Sequence, residues 1–291
     1  MLDLGDARLT MLNGGNFRLD GGAMHGVVPK TLWSKLVSCD AHNRCEYTTR
    51  CLLIEVPDGG RTKRSTKRVL VETGNGDKFA PKLKDIYGID HDRSVGDALG
   101  EIGLEPAAID TVVMTHLHFD HSGGTTRKTA SGALEPVFKR AKHVVQRLEW
   151  EDATHPHERN RASYLQENIA PLGDAGVLQI VDGETEIAPG VRVVPTPGHT
   201  RGHQSVLIGV EGGPRALFLG DVVPTAVHTR LPWVMAYDLD PARTLATKRE
   251  LFTRAVEEDW LLLWGHDRDH MGGRLGVDKD GNFVVRELVT I

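Results

Sequence analysis

Short apolar runs alternate with amphipathic stretches along most of the chain. Runs rich in β-branched residues and leucine are typical of buried strands. We predict strands at Arg50–Val56, Arg68–Glu72, Asp110–Thr115, Val191–Val194, Ser205–Val210 and Ala216–Leu219, with the last strand at Trp260–Trp264. Helical patterns predict a helix from the Ser94 cap to about Leu99, helices within residues 139–170, and a helix at Thr244–Val256. Strands that alternate with helices indicate a layered α/β or α+β fold.

The segments between these elements are turns and short loops rather than linkers. Residues 57–60 read Pro-Asp-Gly-Gly, which is turn chemistry, and Arg61–Arg68 carries five basic residues in eight. Because no aromatic residues are interleaved with the basic ones, we interpret this segment as a solvated hairpin loop rather than a nucleic-acid patch. We find no internal repeat and no low-complexity tract, and we predict one domain over residues 1–291.

The composition is that of a globular protein. Of 291 residues, 40% are hydrophobic and 26% are charged, and the formal net charge is −5. This balance excludes an intrinsically disordered chain and argues against nucleic acid as a partner. The longest unbroken apolar runs are the five residues of Trp233–Tyr237 and of Trp260–Trp264, whereas a membrane crossing needs about 20. We therefore expect no membrane partner either.

The N-terminus and the cysteines favour the cytoplasm. The first six residues lack the basic stretch and apolar core of a signal peptide, so we expect the mature protein to begin at Met1. The three cysteines, Cys39, Cys45 and Cys51, have no Cys-x-x-Cys spacing. An odd count in this arrangement is typical of reduced, partly buried thiols rather than of a disulfide scaffold or a thiolate metal site.

Histidine is the unusual part of the composition, because several of the 14 residues are clustered. His116, His118, Asp120 and His121 follow the strand predicted to end at Thr115. In an extended segment residues i, i+2 and i+4 lie on one side, so His116, His118 and Asp120 are expected to face together. His121 would then lie at the turn into the next helix. Imidazole nitrogens and carboxylate oxygens are ligands of zinc and similar metals, so the run predicts a metal site.

Three further residues of ligand type lie just past predicted strands, each beside a glycine. They are His199, Asp221 and His266. In layered α/β folds functional residues collect at such strand ends. Five histidines and two aspartates suit two metals about 3.5–4 Å apart with one shared carboxylate. Zinc is the divalent metal that we expect, and iron, cobalt and manganese accept the same mixed donor set.

These motifs resemble those of the metallo-β-lactamase superfamily over nearly the whole chain. The resemblance implies an αββα sandwich with two divalent metal ions per chain. It implies that His116, His118 and His199 bind the first metal. It also implies that Asp120, His121 and His266 bind the second, with Asp221 as the bridge. Val69–Gly74 is similar to the family's early strand that ends in Asp-Thr-Gly, but Glu72 stands where the family has aspartate.

Shorter stretches resemble a narrower branch, the YtnP-type quorum-quenching lactonases. These stretches are Leu19–Lys30 with Trp33 and Lys35, His116–His121, Pro224-Thr225 with His228, and Trp233–Asp238. The resemblance implies hydrolysis of the lactone ring of N-acyl-homoserine lactones by a metal-bridging hydroxide. The expected partner is therefore a small-molecule lactone or ester substrate.

Asp120, His228 and Tyr237 are the predicted catalytic residues. Asp120 could hold the proton of the nucleophile and pass it on. In several acyl-homoserine lactonases a tyrosine three residues beyond the bridging aspartate assists the oxyanion, and Pro224 occupies that position here. Either this role has moved, with His228 and Tyr237 the nearest candidates, or it is absent. The alternatives are a hydrogen-bonded loop histidine and a packed aromatic residue.

For three further histidines and an apolar-rich segment near the N-terminus, we predict where they lie in the fold. His203 is expected to support the ligands rather than to bind metal. His155 and His157 are expected on the solvated surface, with a lid over the substrate cleft as the alternative. An apolar-rich segment near the start predicts the wall of an acyl-chain pocket or a homodimer contact, and an ordinary core edge is equally compatible with it. That segment comprises Met24, His25, Val27, Val28 and Trp33.

The metal centre alone does not separate related activities. Another hydrolase, acting on an organophosphate triester, an aryl ester or a thioester, is the main alternative. Flavodiiron-type oxidoreductases carry glutamate where His118 stands and add a flavodoxin-like domain, so the sequence argues against them. Persulfide dioxygenases use one iron and fewer ligands. A protein with a structural or regulatory metal site is the third class of function. An open coordination position distinguishes a catalytic metal site from a structural one.

Overall fold

A computed structural model describes residues 1–58, 65–89 and 93–290 of the chain. Within these residues the strands are β1 (Leu2–Leu4), β2 (Ala7–Asp20), β3 (Arg44–Pro57), β4 (Thr66–Val71), β5 (Thr111–Val113), β6 (Thr126–Lys128), β7 (Leu134–Pro136), β8 (Lys142–Gln146), β9 (Leu178–Val181), β10 (Thr185–Ala188), β11 (Val191–Pro195), β12 (Gln204–Ile208), β13 (Ala216–Phe218), β14 (Leu261–Leu263), β15 (Gly272–Val277) and β16 (Phe283–Val289). The α-helices are α1 (Gly21–His25), α2 (Lys30–Trp33), α3 (Pro81–Ile86), α4 (Val95–Glu101), α5 (Phe119–Ser122), α6 (Arg147–Thr154), α7 (Gln166–Asp174) and α8 (Pro241–Glu257). Short 3₁₀ turns lie at Pro106–Ala108, Gly123–Thr125, Gly220–Val222 and Ala226–Thr229.

The strands form two large sheets and a small ribbon. In the described part of the chain the first sheet has the order β1-β2-β3-β4-β5-β8-β9, and the second has the order β10-β11-β12-β13-β14-β15-β16. The ribbon consists of β6 and β7. Strands β4, β5, β8 and β9 run parallel to one another, as do β13 and β14. Parallel strands have their carboxyl ends at the same edge, so the loops after them are neighbours.

The first sheet is buried on both faces. Successive side chains of a strand point to opposite sides, and β3 illustrates this alternation. Leu52 and Ile54 point into the core shared by the two sheets, whereas Leu53 packs in the outer layer with Leu99 of α4. Burial on both faces explains why Cys51–Ile54, in the second half of β3, is a continuous apolar run rather than an alternating one.

The second sheet is covered in the same way by α8. Leu261 and Leu263 of β14 belong to the core between the sheets, and Leu262 packs outward against Leu251 and Phe252 of α8. The layers therefore run helix, sheet, sheet, helix, which confirms the predicted αββα sandwich. That residues 1–291 form one domain stays a prediction.

Some elements differ from the sequence prediction. Strand β8 lies within residues 139–170, which were expected to be helical. Val144 and Val145 are the only apolar residues of this five-residue strand, so the sequence signal for it is weak. Pairing with β5 and β9 stabilises it as a strand. Strands β15 and β16 follow the element that was predicted to be the last strand. Strand β15 was not predicted because Gly272 and Gly273 at its start have low strand propensity. Residues 59–64, part of the predicted turn and basic loop, lie outside the described residues.

The prediction of three free thiols was wrong for two of them. Cys39 and Cys45 face each other in an isolated antiparallel bridge and form a disulfide, whereas Cys51 is a buried free thiol. A fold that brings two cysteines into register allows a bridge that their sequence spacing does not reveal. The cysteines therefore give no support to a reducing compartment, and the cytoplasmic location stays a prediction. Among the described residues, no helix has the length and apolar character needed to cross a bilayer.

Candidate metal centre

The histidine run lies directly after β5 and begins on extended backbone. His118 is the N-cap of α5, and Asp120 and His121 lie inside this short helix. The expectation that His116, His118 and Asp120 alternate on one side of an extended segment was therefore wrong for Asp120. The helix begins at Phe119, two residues before the predicted turn at His121, and the helical turn brings Asp120 and His121 to the cluster together.

Three strand ends of the second sheet supply the other side of the cluster. His199 follows β11, Asp221 lies in the 3₁₀ turn after β13, and His266 follows β14. Gly220 precedes Asp221 with a φ of 57°, and a Cβ atom there would lie 2.7 Å from His203 Nε2. Glycine is therefore needed for the turn that delivers Asp221 to the cluster.

All seven predicted metal-binding residues converge, and all seven are buried. Three groups of side chains have donor atoms within 4.8 Å of one another. The groups are His116, His118 and His199; His116, His121 and Asp221; and Asp120, His121 and His266. The groups share members, so they form one continuous cluster between the two sheets.

Asp221 faces both halves of this cluster. Its Oδ2 atom lies 3.4 Å from His199 Nε2 and 3.9 Å from His116 Nε2. Its Oδ1 atom lies 3.0 Å from His266 Nε2 and 3.4 Å from His121 Nε2. One carboxylate thus presents a separate oxygen to each half, which is the geometry required of a bridging ligand.

Hydrogen bonds fix the orientation of three of the imidazole rings. His199 Nδ1 lies 2.8 Å from Asp238 Oδ1, His266 Nδ1 lies 2.9 Å from the carbonyl oxygen of Thr48, and His116 Nδ1 lies 3.0 Å from Thr115 Oγ1. Partners of this kind on the far side of a ring set its tautomer and direct the other nitrogen toward a metal. The sequence analysis noted the stretch Trp233–Asp238 but did not predict Asp238 as a site residue.

Glu72 has a defined place behind the cluster. Its Oε1 atom accepts a hydrogen bond from the Thr115 backbone N–H at 3.1 Å and lies 3.4 Å from His121 Nδ1. The residue has a φ of 67°, a left-handed conformation that is uncommon outside glycine. The Glu72 carboxylate thus lies behind His121, on a backbone conformation that is strained for a residue other than glycine.

Charges within the cluster divide the histidines into two classes. Burial, followed by the neighbouring histidines, lowers the pKa of His116 and of His118 well below the ordinary value. Burial also acts to lower the pKa of His121, His199 and His266, but Asp221 and other nearby carboxylates together outweigh it and raise all three pKa values. His116 and His118 are therefore neutral and keep a free lone pair, which metal binding requires.

The donor set fits divalent cations. His116 Nε2 and His118 Nε2 are buried and have no hydrogen-bond partner within the described residues. Buried polar atoms without partners are rare in native proteins and call for an explanation such as a bound ion. Imidazole and carboxylate donors are the ones that zinc and similar metals accept.

Five of the seven cluster residues form the floor of a cavity of about 250 Å³. Its walls come from the N-terminal segment, the segment between α6 and α7, and the segment before α8. Lining residues outside the cluster include Leu19, Met24, Tyr87, Asn160, Met235 and Tyr237. The cleft is therefore large enough for a small molecule and has a polar floor with mostly apolar walls.

The comparison with known protein families agrees with this geometry. Residues 51–266 match the family described as the Metallo-beta-lactamase superfamily. The chain belongs to the metallo-beta-lactamase superfamily. The match confirms the family that the sequence motifs resemble, and it spans all seven residues of the cluster.

Relatives within the superfamily include enzymes named for lactones. An N-acyl homoserine lactonase from Bacillus sp is 33% identical over 186 residues, which are 63% of this chain and 66% of that one. The chain thus aligns with just under two thirds of this relative's length. A solved structure, a probable metal-dependent hydrolase from Staphylococcus aureus, is 30% identical, with a TM-score of 0.86 and coverage of 99% of this chain and 100% of that one. An N-acyl homoserine lactone hydrolase, described with N-hexanoyl-L-homoserine at its catalytic metal centre, is 25% identical, with a TM-score of 0.66 and coverage of 90% and 93%.

The two remaining predicted catalytic residues lie in different places in this metallo-beta-lactamase fold. Tyr237 lines the cavity together with Asp120. His228 is fully buried behind the wall, where Nδ1 contacts Thr225 Oγ1 at 2.6 Å and Nε2 contacts the carbonyl oxygen of Met24 at 2.8 Å. Both ring nitrogens of His228 are therefore engaged within the protein, as in the alternative of a hydrogen-bonded loop histidine.

His203 also uses both ring nitrogens inside the protein. Its Nε2 accepts a hydrogen bond from the Asp221 backbone N–H at 3.1 Å, and its Nδ1 lies 2.8 Å from Thr196 Oγ1. It thus supports the backbone of Asp221, as predicted. His155 and His157 are exposed, which agrees with the predicted solvated surface.

The N-terminal apolar segment combines two roles. Met24 lines the cavity, which agrees with the predicted pocket wall. His25 and Trp33 are buried and stack behind it, whereas Val27 is exposed. A homodimer contact at this segment stays a prediction.

Sequence reasoning missed Glu149 and the cavity residues near Asn160. Glu149 is buried and accepts hydrogen bonds from the Leu117 backbone N–H and the Thr200 and Tyr164 hydroxyls. It joins the loop after β5 to the loop after β11. A glutamate in a charged helical stretch gives no sequence signal of such a role, because the role depends on a distant loop.

Proposed function

We propose that this protein is a dinuclear-metal hydrolase that opens the lactone ring of N-acyl homoserine lactones. The observation that carries the proposal is the floor of the cavity, where Asp221 presents one oxygen to each half of a seven-residue cluster. The relatives named as N-acyl homoserine lactonases and the solved hydrolase with N-hexanoyl-L-homoserine support the choice of substrate.

Zinc is the metal that we propose, at two ions per chain. His116, His118 and His199 would hold one ion, Asp120, His121 and His266 the other, and Asp221 both. When bound, such a pair supplies a hydroxide nucleophile near neutral pH and polarises the carbonyl group that it attacks. This ligand assignment rests on the convergence of the side chains and on the buried unpartnered atoms His116 Nε2 and His118 Nε2.

Two residues of the chain would handle protons and charge. Asp120 lines the cavity, so its carboxylate can take up the proton of the nucleophile and deliver it to the ring oxygen as the bond between that oxygen and the carbonyl carbon breaks. Tyr237 lines the same cavity, and burial, followed by the nearby Tyr87, raises the pKa of its phenol. The phenol therefore stays protonated and can donate a hydrogen bond to the oxygen on which negative charge develops.

A substrate panel tests the proposal. The zinc-loaded protein is assayed with N-hexanoyl-homoserine lactone, an aryl acetate, an organophosphate triester and a glutathione thioester. We expect the highest kcat/KM for the lactone, loss of activity with a chelator, and recovery with two equivalents of zinc per chain. A lactone rate no higher than the other rates would overturn the lactonase assignment and favour one of the other hydrolases.

A further inference from the structure

The wall of the cavity contains a buried carboxamide without a partner. Asn160 is 3% exposed and lines the cavity. Neither its Nδ2 nor its Oδ1 atom has a hydrogen-bond partner within the described residues. A side-chain amide has two donors and one acceptor oxygen, so burial leaves all of this capacity unused. Such a group calls for a partner that is not part of the protein chain.

Hydrogen bonds hold the backbone around Asn160 in place beside the cavity. The Asn160 carbonyl oxygen accepts a hydrogen bond from the Ser163 N–H at 2.9 Å. The Ser163 carbonyl oxygen accepts one from the Phe119 N–H at 2.9 Å, which joins this segment to the start of α5. The ring of Tyr164 contacts the ring of His118, with 4.9 Å between the ring centroids. Asn160 is therefore tied to the same short helix that carries Asp120 and His121.

A second contact closes the segment against the opposite wall. Arg159 Nη2 donates a hydrogen bond to the carbonyl oxygen of Ala236 at 2.7 Å. Ala236 precedes Tyr237, and both residues line the cavity. Nη2 of Arg159 is engaged in this contact, whereas the side-chain amide of its neighbour Asn160 has no hydrogen-bond partner within the described residues.

We propose that Asn160 hydrogen-bonds the amide of the substrate's acyl chain and so selects amide-bearing lactones over plain ones. The inference rests on the proposed function, because that function places an amide next to the lactone ring. The N–H and C=O of a trans amide point in opposite directions, and a carboxamide can pair with either one. A substrate without an amide leaves Asn160 buried and unpaired, and sites of this type discriminate strongly for that reason.

The test compares two lactones that differ only at this group. One is N-hexanoyl-homoserine lactone, and the other is α-heptyl-γ-butyrolactone, in which two methylenes replace the amide. The ratio of their kcat/KM values is measured for the wild type and for Asn160→Leu, which keeps the size and removes the amide. We expect the ratio of kcat/KM for the amide lactone to kcat/KM for the lactone without an amide to fall by roughly tenfold to a hundredfold in the variant. The fall should come from a lower kcat/KM on the amide lactone alone.

Asn75→Leu is the matched control. Asn75 is also buried, with both side-chain amide atoms unpartnered in the described residues, but it does not line the cavity. We expect Asn75→Leu to leave the ratio unchanged. Metal content and melting temperature show whether each variant is folded, and Asn160→Ala serves as the second variant if Asn160→Leu does not fold. Equal losses on both lactones would overturn the inference and give Asn160 a structural role.

Binding separates this inference from the proposed function. The dissociation constant of N-hexanoyl-L-homoserine is measured by calorimetry for the zinc-loaded wild type and for Asn160→Leu. Weaker binding to the variant supports the role of Asn160, even if the wild type hydrolyses neither lactone and the lactonase proposal fails. Equal binding overturns the role of Asn160, even if the wild type is an active lactonase.

Discussion

The floor and the wall of the cavity are built in different ways. On the floor, buried side chains contact one another, and rings such as His199 and His266 are fixed from behind by Asp238 and by the Thr48 carbonyl. On the wall, residues from distant segments meet around a space, and the side-chain amide of Asn160 has no partner in the described chain. The floor is preorganised to hold charge, and the wall is open to a ligand. We therefore expect floor variants to lose the reaction and wall variants to change its rate or its substrate.

Removing a floor ligand should have the largest effect. We expect Asp221→Ala and His118→Ala to lose bound metal and to lose at least about a thousandfold in kcat/KM, because two-metal chemistry needs both ions. Metal content by elemental analysis and lactone hydrolysis check this. The size of the effect tests whether the floor works as one unit.

His203→Ala is the matched control for the floor. His203 is as buried as the ligands, but its Nε2 atom accepts a hydrogen bond from the Asp221 backbone N–H. We expect this variant to keep measurable turnover, within about a hundredfold of the wild type, as for other residues that orient metal ligands. Equal losses in His118→Ala, Asp221→Ala and His203→Ala would show that the proposed ligand set is wrong.

Tyr237 lies where the wall meets the floor. We therefore expect the loss of activity in its variant to lie between the losses of the floor variants and those of the wall variants. We expect Tyr237→Phe to lower kcat by about a hundredfold, as for loss of one oxyanion donor, with metal content and KM nearly unchanged. Tyr47→Phe is the control, since Tyr47 is a buried tyrosine with an unpartnered hydroxyl and does not line this cavity. An unchanged kcat in Tyr237→Phe would mean that another group stabilises the oxyanion.

The sequence predicts the floor far better than the wall. His116, His118 and His121 occur within six residues, and His199, Asp221 and His266 each follow a strand and neighbour a glycine. Local patterns of metal-binding residue types such as these can be recognised from the sequence alone. The sandwich can be predicted in a similar way, because strand segments that are buried on both faces, such as Cys51–Ile54 of β3, are continuous apolar runs.

The wall depends on contacts between distant segments. Asn160 follows a stretch of exposed polar residues and is an ordinary turn residue by sequence, and only the approach of α5 and of the segment before α8 makes it part of a cavity. Strand β8 was missed for the same reason, since pairing with β5 and β9 across the fold creates it. The Cys39–Cys45 disulfide is a local contact between residues six apart, and it was missed because the sequence does not show that the backbone pairs these two residues. Local patterns do not contain this information.

Behind the wall, His25 gives the smallest predicted effect, on stability rather than on turnover. Its ring lies between Trp33 and His228, with centroid distances of 4.9 and 5.2 Å, and neither ring nitrogen has a hydrogen-bond partner within the described residues. Burial lowers the pKa of His25 to about 4. The unfolded chain therefore takes up this proton first as the pH falls below about 6.5, and the native state loses stability until the pH reaches about 4.

His25→Phe keeps an aromatic ring in this stack and removes the titrating group. We expect the free energy of unfolding of the wild type to fall, relative to the variant, by about 1 kcal/mol for each pH unit between 6 and 4. Urea unfolding of both proteins at pH 7, 6, 5 and 4 measures this difference. Protonation of the metal ligands affects both proteins alike and cancels in the comparison. Parallel curves would mean that His25 is protonated in the folded protein as easily as in the unfolded chain.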